Sequence, residues 1–189
     1  MLANDKALLR RMIRDRYPGD DIRRMESEEL CRRILQWDRY RDAQCIGGYV
    51  PLRREADVTP VMEDALHQGK TLVLPRCDAA PHMTLRLVRS MDELTTGRWG
   101  IPEPAEDTEI IPAEKVDLLI VPLEGLDRSG KRLGKGGGYY DCLLSSGRCF
   151  TLGAVMSWQW VDNMPCDAWD QGLNAAVDHQ GICIFGEVD

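Results

Sequence analysis

The chain has 189 residues, of which 43% are hydrophobic and 29% charged, the composition of an ordinary soluble globule. Its formal net charge of −7 disfavours a general nucleic-acid binder, which would normally be basic. No apolar run approaches the ~20 residues of a membrane-spanning helix, and no apolar stretch of a signal peptide opens the chain. We therefore expect a single domain over residues 1–189, a cytoplasmic monomer without a nucleic-acid or membrane partner.

The cysteines support this expectation about the compartment. Seven of them are scattered along the chain without a Cys-x-x-Cys pair, and only three histidines accompany them. This spacing matches no zinc site. Scattered single cysteines suit a reducing compartment, where they act as small apolar fillers.

The first predicted element is a helix over residues 5–16, where apolar residues form a stripe. Lys6 and Arg10 lie one turn apart, so their side chains share a face distinct from that stripe. By spacing alone, a solvated helix face explains these cations better than a binding site does.

Helices and strands then alternate along the chain. Ser27 is predicted to cap a helix that ends near Trp37, and a helix around 58–68 is closed by Gly69. A short helix is predicted over 139–145, ending at Gly147. Strands are predicted at 44–50, 71–74, 83–88, 116–121, 151–156 and 182–185. The alternation indicates an α/β fold with a largely parallel sheet, whereas residues 89–114 and 157–178 lack periodicity and are predicted to be long surface loops.

The stretch from Val116 to Leu144 carries the strongest functional signal. Its apolar run, residues 116–121, predicts a buried strand. A glycine-rich turn follows, with three consecutive glycines at 136–138 that let the backbone approach a ligand because they carry no Cβ. Their amides stand before a helix N-terminus, where an anion is favoured.

Charged residues flank these glycines in a pattern that suits a polyphosphate. Arg132 and Lys135 add cationic donors, and Asp141 can hold an accompanying magnesium ion. The alternative is a plain glycine turn between a strand and a helix. Two cations and an acid in register favour phosphate binding.

Two familiar phosphate motifs do not fit this stretch. The segment Gly125–Lys131 fits G-x-x-x-x-G-K, but Arg132 stands where a P-loop needs Ser or Thr. The dinucleotide fingerprint fails because Tyr139 stands where glycine or alanine is required. A P-loop-like kinase is kept as an alternative, in which Lys131 would be essential while Lys135 and Arg132 would be dispensable.

The same stretch resembles the signature of the 5-formyltetrahydrofolate cyclo-ligase family, also called methenyltetrahydrofolate synthetase. That signature is a strand followed by P-G-x-x-F-D-x-x-G-x-R-L-G-x-G-x-G-Y-Y-D. Leu123, Glu124 and Leu126 depart from it in the first half. The residues that match in register are Pro122, Asp127, Gly130, Arg132, Leu133, Gly134, Gly136, Gly138, Tyr139, Tyr140 and Asp141.

The resemblance extends from end to end. Lys6–Arg10 is similar to the family's ATP-binding K-x-x-L-R, and Pro165–Asp170 is similar to P-x-E-x-H-D, whose final aspartate binds magnesium. In this last region Trp169 replaces the histidine, Asn174 a usual aspartate and Asp178 a usual threonine. The other segments that fall in family order are Tyr49-Val50-Pro51 with Glu55, Leu74-Pro75-Arg76, Met83 and Gly97–Pro104.

The resemblance implies a single-domain, Rossmann-like three-layer fold with a largely parallel central sheet flanked by helices. It also implies an ATP- and Mg²⁺-dependent cyclisation of 5-formyltetrahydrofolate to 5,10-methenyltetrahydrofolate, with release of ADP and phosphate. The formyl oxygen would attack the γ-phosphoryl group, and N10 would then close the ring. A homologue that binds nucleotide or folate without turnover is the alternative, motivated by Leu123, Leu126, Trp169 and Asn174.

The roles of individual residues are likewise implied by the resemblance. The catalytic cations would be Lys6, Arg132 and Lys135. The ATP would contact Lys6, Arg10, Arg132, Gly134, Lys135, Gly136, Gly137, Gly138, Tyr139 and Tyr140. The reduced folate would contact Val50, Glu55, Met83, Trp99, Lys135, Gly136, Gly137, Gly138 and Tyr139. The Mg²⁺ ligands would be Asp141 and Asp170.

Overall fold

The computed structural model describes residues 2–146, 149–165 and 167–186. Gly147, the predicted end of a helix, and Cys166 lie outside these ranges. Within them no helix is long and apolar enough to cross a membrane. The α-helices of the described ranges are α1 Leu2–Asp15, α2 Asp20–Gln36, α3 Asp38–Asp42, α4 Thr59–His67 and α5 Tyr139–Ser146.

The strands fall into three sheets, of which one is large. The large sheet has the order β12-β11-β9-β6-β1-β2-β3, the second the order β10-β7-β8, and the third pairs β4 with β5. Their bounds are β1 Cys45–Gly47, β2 Thr71–Cys77, β3 Met83–Val88, β4 Thr95–Thr96, β5 Pro102–Glu103, β6 Leu118–Val121, β7 Gly125–Asp127, β8 Arg132–Leu133, β9 Phe150–Ala154, β10 Trp160–Val161, β11 Ala175–Val177 and β12 Ile182–Ile184.

The α/β class predicted from the sequence is confirmed, but the large sheet is mixed. Its five central strands, from β11 to β2, pair in parallel. Its two edge strands, β3 and β12, pair antiparallel to their neighbours. Parallel strands usually have both of their faces covered, so helices are expected on both faces of the central part of this sheet.

Side chains alternate between two buried clusters along the central strands. Leu118 and Ile120 of β6 belong to the cluster that includes residues of α2 and α4, whereas Leu119 and Val121 belong to the cluster that includes Leu143 of α5. Because successive strand residues point to opposite faces, helices cover both faces of the sheet.

Two predictions about local structure are wrong. Ser27 does not cap a helix: α2 already begins at Asp20 after Gly19, and the buried Ser27 hydroxyl accepts a hydrogen bond from the Asp57 amide at 3.0 Å. The two segments predicted to be long loops are not only loop. Residues 89–114 contribute the paired strands β4 and β5, and residues 157–178 contribute β10 and also β11, which extends the parallel part of the large sheet.

The strand order reverses at β1, and this reversal positions the site. The chain passes from β1 to β2 and β3 on one side, then returns to place β6, β9, β11 and β12 on the other. In open α/β sheets, ligands bind outside the carboxyl ends of the strands at such a reversal. We therefore expect a site between the segments that follow β1 and β6.

Candidate functional site

A cavity of about 690 Å³ lies at this reversal. Tyr49 and Val50, which follow β1, line it together with Pro122 and Leu123, which follow β6. The other residues predicted from the sequence to form the site also line it: Lys6, Arg10, Glu55, Met83, Trp99, Arg132, Gly134, Lys135, Gly136, Gly137, Gly138, Tyr139, Tyr140, Asp141 and Asp170. The fold thus brings these residues together, although their individual roles stay predictions.

The glycine loop, residues 134–138, depends on its glycines for conformation as well as for space. Gly136 has φ 99° and Gly138 has φ 71°, both in the left-handed region that other residues rarely adopt. A Cβ on Gly138 would meet nothing nearer than Pro81 at 3.9 Å, so conformation is the constraint there. A Cβ on Gly137 would lie 2.9 Å from the Tyr139 ring, so space is the constraint at that position.

Arg132 is a buried cation at the base of this loop. Its side chain is 3% exposed, and its Nη2 donates to Asp141 Oδ1 at 2.8 Å. Its Nη1 donates to the Pro122 carbonyl at 3.4 Å, whereas its buried Nε has no partner among the described residues. The ion pair therefore joins the strand before the glycine loop to the helix after it.

Two tyrosine hydroxyls add further donors that lack an acceptor. The hydroxyls of Tyr139 and Tyr140 are buried and find no hydrogen-bond partner within the described ranges. Burial, with the nearby Glu55 carboxylate, raises the pKa of Tyr140, so this hydroxyl keeps its proton. Unpaired buried donors are costly, so the two hydroxyls and Arg132 Nε leave unsatisfied polar atoms behind the lining of the cavity.

Helix α1 brings two more cations to the cavity. Lys6 Nζ donates to Asp167 Oδ2 at 2.7 Å and to Asp170 Oδ2 at 2.5 Å. Burial acts to lower the pKa of Lys6, but these two carboxylates outweigh it and raise that pKa. Arg10 Nε donates to the Gly134 carbonyl at 2.7 Å, so the helix is fastened directly to the glycine loop.

Lys135 bridges the glycine loop to the segment after β1. Its Nζ lies 2.9 Å from Glu55 Oε1 and 3.6 Å from Glu124 Oε1. The second oxygen of the buried Glu55 accepts from the Leu52 amide at 2.8 Å. Both Glu55 oxygens are therefore held by donors of the protein itself.

The two predicted metal ligands line the same cavity from different parts of the chain. Asp141 pairs with Arg132, and Asp170 pairs with Lys6. The described residues contain no group of three or more metal-ligating side chains. Mg²⁺ is commonly held by one or two carboxylates and completed by water and substrate phosphates, so two carboxylates in one cavity fit this ion.

A second part of the cavity lining is apolar. Trp99 is 65% exposed at its rim and packs edge-to-face against Tyr139, with 5.6 Å between ring centroids. Trp99 has φ 60° and is the only described residue other than glycine with a positive φ. We call this part the apolar wall, formed by Leu74, Pro75, Met83, Trp99, Ile101 and Pro102.

Several lining residues were not assigned a role from the sequence. Asp167, which shares Lys6 with Asp170, stands at the glutamate position of P-x-E-x-H-D, and that position was the available signal. Trp169 is 69% exposed and lines the cavity where the family pattern has histidine. Glu103 is buried in the apolar wall, within the Gly97–Pro104 segment.

The P-loop-like segment does not form the cavity. Lys131 is exposed and is not among the residues that line it. Instead, Asp127 Oδ1 accepts hydrogen bonds from the amides of Ser129 and Lys131, at 2.8 and 3.1 Å, and so closes a tight turn. This geometry argues against the kinase alternative.

Comparison with known proteins agrees with the geometry of the site. Residues 3–179 match the model of the 5-formyltetrahydrofolate cyclo-ligase family. The chain is 28% identical to 5-formyltetrahydrofolate cyclo-ligase of Escherichia coli K12, over 79% of this chain and 86% of that protein, and 27% identical to the Mus musculus enzyme, over 78% and 79%. The NMR structure of Aquifex aeolicus 5,10-methenyltetrahydrofolate synthetase is similar with a TM-score of 0.85 and 30% identity, covering 97% of this chain and 94% of that one.

Proposed function

The chain belongs to the 5-formyltetrahydrofolate cyclo-ligase family, and we propose that it catalyses the ATP-driven closure of 5-formyltetrahydrofolate to 5,10-methenyltetrahydrofolate. The observation that carries this proposal is the cavity at the strand reversal. A glycine loop and four cations form one part of its lining, and the apolar wall forms another. The two parts suit a polyphosphate and a flat heterocycle respectively.

The reaction that fits this cavity replaces a poor leaving group by a good one. The formyl oxygen on N5 attacks the γ-phosphorus of ATP, and ADP departs. N10 then attacks the formyl carbon, loses its proton, and the oxygen leaves with the phosphoryl group as inorganic phosphate. The carbon–oxygen bond breaks because phosphate, unlike oxide, is a stable leaving group.

The residues of the chain supply position and charge for these steps. Lys6, Arg132 and Lys135 are the cations assigned to the phosphates, and each is already held by a carboxylate. Phosphoryl transfer depends chiefly on positioning and on neutralising the charge that moves between oxygens. Water can carry away the proton that N10 loses, so no dedicated base is assigned.

Asp141 and Asp170 would hold a Mg²⁺ ion, which would neutralise charge on the phosphate oxygens. Asp170 is now paired with Lys6, and Asp141 with Arg132. The same cations can turn to phosphate oxygens when the nucleotide enters. The ion pairs thus hold these cations within the cavity, where the phosphates are proposed to bind.

The same proposal covers the layer arrangement of the fold, the location of the protein and its oligomeric state. The coverage of both sheet faces supports a Rossmann-like three-layer arrangement in a single domain over residues 1–189. Among the described residues the cysteines are free thiols, which supports a reducing, cytoplasmic location. We further propose that the protein acts as a monomer, since one chain supplies both sides of the cavity.

The test is a turnover assay with purified protein, 5-formyltetrahydrofolate and Mg-ATP, following the absorbance of the methenyl product and the release of ADP. We expect one ADP for each methenyl group formed. Lys135→Met should lower kcat/KM at least about tenfold, the loss expected for a charge-assisted bond. The matched control, Lys131→Met, should retain normal kinetics because Lys131 lies outside the cavity.

Two results would contradict the proposal. Nucleotide binding without methenyl formation would favour the homologue that has lost turnover. Loss of activity in Lys131→Met with normal Lys135→Met would favour the P-loop-like alternative.

A further inference from the structure

The apolar wall contains a buried carboxylate. Glu103, the last residue of β5, is 4% exposed and lines the cavity next to Pro102 and Ile101. A carboxylate that is removed from water is costly unless strong donors compensate it. Its position among apolar groups therefore calls for an explanation.

The donors that Glu103 receives from the protein are weak. Its Oε2 accepts from the Cys77 amide at 3.4 Å, a long hydrogen bond. The Cys77 thiol is a second neighbour: burial, together with Glu103, raises the pKa of Cys77 to about 11, so it stays a neutral thiol and a weak donor. The Glu103 carboxylate can therefore still accept further hydrogen bonds.

Glu55 provides a direct contrast within the same cavity. Both of its oxygens have strong partners, Lys135 Nζ at 2.9 Å and the Leu52 amide at 2.8 Å. Among the described residues, no Lys, Arg or His forms an ion pair with Glu103. Glu103 is thus the buried carboxylate that can still accept from a ligand.

The chain also fixes the Glu103 side chain in place. A Cβ on Gly97 would lie 2.3 Å from the Glu103 carboxyl carbon, so the carboxylate occupies room that only a glycine leaves open. The backbone of Glu103 pairs with Thr95 in the β4–β5 hairpin. A carboxylate held in this way is preorganised for a ligand and loses little freedom on binding.

We infer that Glu103 is a specificity residue that binds the pyrimidine edge of the substrate's pterin, accepting from its N3–H and 2-amino groups. The inference rests on the proposed function, which supplies the pterin. These two donors are adjacent and parallel, the arrangement that a carboxylate binds through both oxygens. The flat ring beyond them would contact the apolar wall, including Met83 and Trp99.

The first experiment compares Glu103→Gln with wild type. Glutamine keeps the size and one acceptor but presents an amide donor to the two ligand donors. We expect KM for 5-formyltetrahydrofolate to rise roughly ten- to hundredfold, as for a lost charge-assisted bond. Because the pterin edge does not react, kcat and KM for ATP should stay within about threefold. Glu109→Gln, an exposed change of the same chemistry six residues later, should match wild type.

The second experiment changes the ligand instead of the protein. Binding of 5-formyltetrahydrofolate and of its 2-desamino analogue is measured without ATP, by quenching of tryptophan fluorescence. Wild type should bind the analogue about tenfold or more weakly, because one donor is missing. In Glu103→Gln this difference should nearly vanish, whereas damage to the wall alone would leave it unchanged.

The outcomes separate this inference from the proposed function. Wild type that forms product but binds both ligands equally would overturn the role of Glu103 and leave the function standing, even if the Glu103→Gln variant fails to fold. An equal rise in KM for the folate and for ATP would likewise show that Glu103 has only a structural role. Wild type that makes no product but discriminates the two ligands would overturn the function and support the pterin contact.

Discussion

The charged residues of the cavity and the apolar wall differ in how their polar groups are held in place. On the charged side, Lys6, Arg132 and Lys135 are each bound to carboxylates of the chain itself. On the apolar wall, Glu103 and the exposed Trp99 have few or weak polar partners. The charged side therefore has to exchange partners when a ligand binds, whereas the wall only has to receive one.

This difference predicts different responses to mutation. Removing a group from the charged side leaves its former partner unsatisfied in a partly buried place, so stability and activity should fall together. Removing a polar group from the wall should affect ligand binding with little effect on folding. The variants below test that division.

The largest effect is expected for Arg132→Met. The Arg132 side chain is 3% exposed, so its loss leaves Asp141 without its partner and should cost about 3–5 kcal/mol of unfolding free energy. The measurement is chemical denaturation beside the turnover assay. In the double variant Arg132→Met with Asp141→Leu, stability should largely return while activity does not. Recovery of both would show that the pair is structural only.

The next effect is expected for Arg10→Ala. Arg10 Nε holds the Gly134 carbonyl at 2.7 Å, and burial lowers the Arg10 pKa without making it neutral at physiological pH. Loss of this donor should weaken ATP binding by about 1.5–3 kcal/mol, measured by titration calorimetry. The control is Arg11→Ala on the same helix, where the side chain is mostly exposed. Equal affinities of the two variants for ATP would show that Arg10 belongs to a solvated face of α1.

A smaller loss is expected for Gly138→Ala. The added Cβ has space, with Pro81 at 3.9 Å, so the cost comes from φ 71° and should be about 1–2 kcal/mol. A rise in KM for ATP should accompany it, because the loop would relax away from its present shape. Gly181→Ala, at a position with open space and no positive φ, serves as the control. Unchanged ATP kinetics with a lower melting temperature would remove the loop from the nucleotide site.

The smallest effect on activity at saturating Mg²⁺ is expected for the metal ligands, because an asparagine at either position keeps an oxygen that can accept from Arg132 or Lys6. Asp141→Asn and Asp170→Asn each remove a negative oxygen while nearly keeping shape, so half-maximal activity should require more Mg²⁺. Asp170→Asn should also release Lys6 in part, although Asp167 still holds it at 2.7 Å. A Mg²⁺ titration that shifts for Asp141→Asn alone would assign the ion to Asp141 and water.

The glycine loop could be predicted from the sequence because its residues are close together along the chain. Arg132 and Asp141 are nine residues apart, and the glycines between them predict a turn. The contact of Lys6 with Asp167 spans 161 residues and leaves no local trace in either segment. Only the family resemblance brought Lys6 and Asp170 to the same site.

The elements that were missed are short or masked by stronger patterns. Strand β11, Ala175–Val177, has three small residues between turns and no period that could reveal it. Ser27 has the chemistry of a cap, but its hydroxyl serves the Asp57 amide from inside α2. The buried Glu103 was missed because a glutamate in a proline-rich segment is ordinarily a solvated acid, and only its tertiary neighbours bury it.

The central claim is that the formyl oxygen leaves this cavity as part of phosphate. The most direct measurement uses 5-formyltetrahydrofolate labelled with ¹⁸O in the formyl group and unlabelled Mg-ATP, with mass analysis of the inorganic phosphate. The account predicts one ¹⁸O in the phosphate for each methenyl group formed. Unlabelled phosphate, with the label released into water, would contradict it.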